Sequence, residues 1–277
     1  MRAHPGRPEL AIGTFLEGLF VIRHGRRARP PLAGRVVAVT GAGAGVGRAV
    51  ARAFAAQGAD VALLARGGRA LDAAADEVER FGGRALVVPV DMGVPDRVEE
   101  AAERVERELG PVDVWVNSAV TSVLARFPDV TPEEYARVTT VTYLGCVNGT
   151  RAALRRMRPR DAGAVVQVGS VLGELSVPLQ AACCGAEHAI RGFTASVRME
   201  LRHEGSRVAV TTVRLPVLDP EPEAAARAVV HAARHPRRAA YRVGASTAVA
   251  ALAHRTGPAL LDRCLARTAE DGKPRRH

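Results

Sequence analysis

Lysine is all but missing from this chain. Of the 39 lysine and arginine residues among 277, only Lys273 is lysine, and it sits near the C-terminus. Chemistry that needs an ammonium group on a side chain inside the folded body is therefore excluded, while guanidinium chemistry is abundant. Aromatic residues are also scarce, at 4% against 47% apolar residues overall, so a large core has to be built from Ala, Val and Leu. There are four cysteines, Cys146, Cys183, Cys184 and Cys264. They are too few to staple a chain of this size and lack zinc-site spacing, and neighbouring cysteines disfavour ordinary disulfide geometry. Buried thiols in a reducing cytoplasm are the expectation. No apolar stretch approaches the ~20 residues needed to cross a bilayer. No nucleic-acid-binding module accompanies the net charge of +10, so the scattered arginines read as a solvated surface and not as a nucleic-acid footprint.

What is present divides into an N-terminal extension (1–33), one domain (34–268) and a charged tail (269–277). In the extension, Ile12, Phe15, Leu16, Leu19 and Phe20 follow helical spacing, with Thr14 and Glu17 placed as a capping box. The resulting apolar stripe is expected to pack on its own domain or in an oligomer interface rather than on a membrane surface. From Arg35 onward short β-branched runs alternate with amphipathic segments. The predicted strands are Val36–Thr40, Val61–Ala65, Ala85–Val90, Val112–Asn117, Ala164–Gly169 and Arg207–Arg214, with a last one near Tyr241–Val243. The predicted helices are Val46–Gln57, Ala70–Phe81, Pro95–Leu109, Pro132–Met157, Leu179–Glu204 and Glu223–Arg234, with two short ones running on to Arg267. Continuous apolar strands separated by helices predict an α/β fold: one doubly wound parallel sheet of Rossmann type covered on both faces.

The segment Thr40-Gly41-Ala42-Gly43-Ala44-Gly45-Val46-Gly47 follows the first strand and opens the first helix. Glycines in that context allow a tight turn and let backbone N–H groups approach a pyrophosphate at the positive end of the helix. At the end of the second strand stands Arg66, where an acidic residue would bind the ribose diol of NAD. An arginine there suits a 2′-phosphate, so NADP is expected, with NAD possible.

These motifs resemble the short-chain dehydrogenase/reductase family, over roughly Leu32 to Thr268. The resemblance rests on Gly41-x-x-x-Gly45-x-Gly47, on Asp91 after the third strand, on Asn117-Ser118-Ala119-Val120 after the fourth, on Ser170 ending the fifth, and on the segment Gln180–Thr194. It implies cofactor contacts from Thr40, Gly41, Gly45, Val46, Gly47, Arg66, Asp91 and Asn117. It further implies pairing through the two long helices into a homodimer or homotetramer, or into a heteromer with an active relative.

The departures from the family pattern concern catalysis. Counted from Ser170, the position of the family's tyrosine falls on Cys183 and that of its lysine on Glu187, while Thr142 stands where an asparagine completes the relay. A phenol titrates near 10 and needs a neighbouring cation to act near neutral pH. An acid at that spot reverses the local field, and a thiol beside it is pushed up rather than down. The substrate-covering loop after the sixth strand is also largely missing, since Pro216 is followed by Val217-Leu218-Asp219-Pro220 and then a helix. The leading expectation is a family member impaired in redox catalysis that acts through cofactor binding or oligomerisation. Two alternatives stay open: an NADP-dependent carbonyl reductase or alcohol dehydrogenase with an unusual proton donor, and a non-redox acid/base enzyme using Glu187.

Overall fold

Seven parallel strands form one sheet in the order β3-β2-β1-β4-β5-β6-β7. They are β1 Val36–Thr40, β2 Asp60–Ala65, β3 Ala85–Pro89, β4 Val112–Asn117, β5 Ala164–Ser170, β6 Ala209–Leu215 and β7 Ala240–Arg242. The helices are α1 Gly45–Ala55, α2 Arg69–Glu79, α3 Pro95–Leu109, α4 Pro132–Val138, α5 Gly145–Met157, α6 Ala181–His203 and α7 Pro222–Arg234. This computed structural model describes residues 32–217 and 221–245, together with Thr247, Val249 and Thr256. The predicted N-terminal helix, the short helices to Arg267, Cys264, Lys273 and the charged tail lie outside the described residues.

The sequence alternation has a direct physical outcome. Each strand side chain points to the face opposite its neighbour's, and both faces are covered. Val37, Val39, Val61 and Leu63 pack under α1, α2 and α7, with Phe54, Leu71 and Val229. Val36, Ala38, Ala62 and Leu64 face α3 and α5 on the other side, with Val98, Val105 and Met157. The sequence's one tryptophan, Trp115, is fully buried in this second layer. The strand order reverses direction between β1 and β4, which opens a crevice at the carboxyl ends of those strands.

Two predicted helices need correction. Pro132–Met157 is not continuous: α4 ends at Val138, a π-helical turn runs Thr139–Leu144, and α5 begins at Gly145. The run Thr139-Thr140-Val141-Thr142 is β-branched, and its hydroxyls bond elsewhere: Thr139 Oγ1 donates to Tyr135 O, and Thr142 Oγ1 to Thr121 O. The predicted helix Leu179–Glu204 starts later, at Ala181, because Leu179 adopts φ 66 and cannot continue a right-handed helix. The sixth strand also begins at Ala209, not Arg207, since Arg207 is drawn to Asp161 through its N–H at 2.7 Å.

Candidate cofactor cleft and active-site region

The crevice at the switch point is a cleft of about 480 Å³ lined by the glycine turn, the ends of β2 and β3, and the segment after β4. α1 starts without help from a side chain: its N-cap is Ala44, no cap hydrogen bond is made, and the first turn holds no acidic residue. The N–H groups of the first turn are thus left for a ligand, and the helix dipole favours an anion there. Gly45 adopts φ +52 with nothing within 4 Å of where a Cβ would stand, so the cradle is both conformationally special and open. Gly47 is glycine for the opposite reason. A Cβ there would lie 2.3 Å from Gly41 O, so the helix could not fold back so closely on the strand end.

Six of the eight expected cofactor positions line this cleft, namely Gly41, Gly45, Val46, Gly47, Arg66 and Asp91. Arg66 is exposed at the rim, and Asp91 uses one carboxylate oxygen to accept from Gly93 N at 2.8 Å. The other two positions act from behind. Thr40 is buried, and its hydroxyl accepts from Ser118 N at 2.9 Å and Ala119 N at 3.1 Å, tying the post-β4 segment to the glycine turn. Asn117 turns into the core. Its Oδ1 accepts from Trp115 Nε1, and its Nδ2 donates to Thr150 Oγ1 and Gln167 Oε1. Cys146 donates to Gln167 Oε1 in the same buried group, and burial, with Glu187 nearby, pushes its thiol up to about 12. Sequence reasoning missed this network of Cys146, Thr150 and Gln167, because its members come from α5 and β5 and carry no local motif.

The four relay positions come together where β5, the π turn and α6 meet, and each is already engaged. Ser170 Oγ accepts from Leu172 N at 3.2 Å and caps the short 3-10 turn Val171–Gly173. Thr142 Oγ1 donates to Thr121 O at 3.0 Å and accepts from Thr121 N at 3.1 Å, closing on the segment after β4. Cys183 is buried among Val138, Val171 and Leu172. Burial raises its thiol; the Val123 N–H bond opposes that, and Cys184 and Glu187 add to the rise. A thiol so placed stays protonated at neutral pH and is a poor nucleophile.

Glu187 departs most from the sequence-based picture. Its carboxylate does not stand free to meet a nicotinamide ribose. Oε2 accepts from Ser170 N at 3.0 Å and lies against Gly169, where a Cβ would come within 2.8 Å of it. The side chain is 8% exposed, and burial raises its pKa to about 7, against the opposing pull of the Ser170 N–H and of Arg214. Arg214 in turn pairs with Glu174 at 2.6 Å, and Arg242 pairs with the same carboxylate at 2.9 Å. None of these three was singled out from the sequence; the carboxylate at 174 and the cations at 214 and 242 lie on separate elements.

Tyr143 stacks edge-on to Phe193 and packs beside the Cys183 cluster, a packing role. His188 is exposed, with Nδ1 2.9 Å from Cys184 O, so it faces away from the relay. No group of three or more metal-ligating side chains occurs among the described residues, and no helix among them is long and apolar enough to cross a membrane. The link from Leu215 at the end of β6 to Pro222 at the start of α7 is short, as read from the sequence, although Leu218, Asp219 and Pro220 lie outside the described residues.

Comparison with known proteins completes the picture. The model of a family described as short chain dehydrogenase matches residues 35–228. An uncharacterized oxidoreductase of Bacillus subtilis (strain 168), YxnA, is 33% identical over 254 residues, 83% of this chain and 71% of that protein. Human dehydrogenase/reductase SDR family member 7 is 34% identical over 188 residues, 64% of this chain but only 53% of its own length. Among solved structures, a metagenomic short-chain oxidoreductase in complex with NADP superposes with a TM-score of 0.71 at 28% identity, covering 76% of this chain and 97% of that one.

Proposed function

The chain belongs to the short-chain dehydrogenase family, and from that membership we propose that it binds NADP in preference to NAD but cannot turn it over by the family's proton relay. The observation that carries this reading is the engagement of Glu187. At the position of the relay's cation stands a buried carboxyl held by Ser170 N and facing Arg214, and the sequence's one lysine is Lys273. The ADP half of a dinucleotide fits the residues present: an uncapped helix start, an open Gly45, Asp91 for the adenine end and Arg66 for a 2′-phosphate. When bound, the cofactor would supply a hydride. This chain's own residues would hold and orient it, but Ser170, Cys183 and Thr142 offer no acid matched to neutral pH, and the Glu187 carboxyl is turned onto Ser170 N.

Function then passes to the complex itself. The outer faces of α5 and α6 carry Val147, Leu154, Phe193 and Val197 along one groove, and Met199 is 63% exposed. Such a face supports association of two copies, or of this chain with an active relative, through those helices. Buried free thiols at Cys146, Cys183 and Cys184 suit the reducing cytoplasm we assign it. A second reading, acid–base chemistry by Glu187, is favoured by one observation: a carboxyl titrating at about 7 is matched to neutral pH.

Titration of intrinsic NADPH fluorescence tests cofactor binding. We expect saturable binding, with NADPH held more tightly than NADH, and an Arg66→Ala variant that loses about tenfold or more of its NADPH affinity while its NADH affinity is unchanged. Absence of binding at millimolar cofactor would overturn the proposal.

A further inference from the structure

A second cavity, of about 390 Å³, lies between α6 and the strands β6 and β7 and, among the described residues, shares no lining residue with the dinucleotide cleft. Its wall is built by ordinary periodicities. On α6, Glu187, Arg191, Thr194 and Arg198 follow one another at spacings of four, three and four, a single helical stripe. On β6, Thr212 and Arg214 point to the same face of the sheet, and Arg238 and Arg242 complete the rim.

The charges do not balance. Among the described residues five arginines line the space, against one carboxylate, Glu187. Glu174, just behind, is already shared between Arg214 and Arg242. Arg191 donates to Gly173 O at 3.1 Å, and Arg238 lies 5.2 Å above the Tyr241 ring. Arg198 makes no ion pair or hydrogen bond among the described residues. Burial lowers its basicity, and Arg202 beside it adds like-charge repulsion. Burial does the same to Arg214; Glu174 opposes it, and Arg242 and Arg191 add to it.

An independent observation concerns the same wall. Thr194 Oγ1 is buried without any hydrogen-bond partner, the single such side-chain atom among the described residues, and Thr194 is 3% exposed. A hydroxyl shut away from water without a partner is costly, and ligand sites are among the places where such groups persist. Thr194 lines the cavity one helical turn from Arg191 and Arg198, so a rotation of its side chain would bring the hydroxyl to a ligand there.

We propose that this cavity binds a phosphate-bearing small molecule, a phosphomonoester, with Thr194 and Arg198 as its contacts from α6. Donors arriving from a helix and two strands surround the space from several sides. That arrangement suits a tetrahedral phosphate better than a flat carboxylate, which the parallel N–H groups of one guanidinium satisfy alone. The bound anion gives Thr194 a partner and offsets the unpaired arginine charge. Because Ser170 and Glu187 line the same space, the site reaches the β5–α6 junction from the side away from the glycine turn.

Thermal unfolding of the full chain in inorganic phosphate, against chloride at equal ionic strength, tests the proposal. The dinucleotide cleft also attracts phosphate, so the control is Gly45→Ala, which places a methyl group in that cradle; because its backbone φ of +52 strains any side chain, each shift is read against the variant's own Tm in chloride. We expect phosphate to raise Tm in the wild type and in Gly45→Ala alike, and phenyl phosphate to do so at lower concentration. Arg198→Gln should need about tenfold more phosphate, or beyond, for the same shift. Thr194→Val should respond several-fold more weakly, yet unfold no earlier than the wild type in chloride, since it removes a hydroxyl that has no partner. That combination separates a ligand contact from a structural one. No shift with either probe, an undiminished shift in Arg198→Gln, or a shift lost in Gly45→Ala would each overturn the assignment.

Discussion

The variant carrying Cys183→Tyr and Glu187→Lys is expected to unfold more readily than the parent and to remain without reductase activity. On sequence grounds the double change rebuilds the missing pair at helical i, i+4 spacing. In the structure the position of residue 187 is not prepared for a cation. The carboxylate it would replace accepts from Ser170 N and stands in the field of Arg214, whose neighbours include Arg191 and Arg242. A lysine there would leave the Ser170 N–H without its acceptor and bury an ammonium among guanidinium groups. Leaving a buried charge uncompensated costs about 3–5 kcal/mol. Position 183 adds a second penalty, because Cys183 is packed among Val138, Val171 and Leu172, and a ring inserted there overpacks by about 1–3 kcal/mol unless it swings out. Urea unfolding reads the first effect in the single variant Glu187→Lys, and an unchanged midpoint would show that the surroundings of residue 187 are more forgiving than its partners suggest.

Stability should also fall as pH rises through neutrality, and Glu187 should be the cause. Its folded-state pKa of about 7 lies above the ordinary value of 4.5, because burial disfavours the charged form more than the Ser170 N–H and Arg214 favour it. Between those two values the folded chain keeps a proton that the unfolded chain has released. The contribution is therefore full below about 4.5 and is lost as pH climbs through about 7, amounting to about 3 kcal/mol in all. Asp60, Glu77 and Asp161 are shifted the other way, each held below its usual range. Their contributions disappear on acidification below the ordinary carboxylate range, outside the window in which Glu187 acts. Denaturant midpoints measured across that window should decline for the wild type and stay nearly level for Glu187→Gln, which keeps an acceptor for Ser170 N without the charge. Parallel curves for the two proteins would mean that Glu187 is ionised at the same pH in both states.

How much of this was legible in the sequence depends on whether the signal is local. The strands were readable because each is a short unbroken apolar run, and Val112–Asn117 emerges with the same bounds. The glycine turn was readable because its residues are consecutive, and six of the eight positions that the resemblance assigned to a cofactor line one cleft. The break at Thr139–Leu144 was not, since a π turn costs nothing visible in apolar periodicity and is marked only by a β-branched run in which the Thr142 hydroxyl finds a tertiary partner. The inward turn of Asn117 was hidden for the same reason, its partners Thr150 and Gln167 coming from α5 and β5.

The arginines give the clearest lesson. Dispersed along a chain with almost no lysine, they look like surface decoration. Arg191 and Arg198 nevertheless share a stripe with Glu187 and Thr194, and Arg214 is brought to them by the pairing of β5 with β6, which sets Gly169 opposite Arg214. The helical half of that pattern was present in the sequence as a polar stripe on α6. The strand half required the sheet register. Likewise, the substitution of lysine by Glu187 was plain from the motif, but its consequence, a carboxyl turned onto the backbone of Ser170, depended on Gly169 being bare enough to let it approach.

The central claim is that cofactor binding survives here while proton delivery does not. It is tested most directly by saturating the protein with NADPH, mixing it with a broad panel of aldehydes and ketones, and following the loss of NADPH absorbance. The account predicts bound cofactor that is consumed no faster than NADPH alone in the same buffer. Turnover at ordinary enzyme rates, about 1 to 10³ per second, on any member of the panel would contradict it.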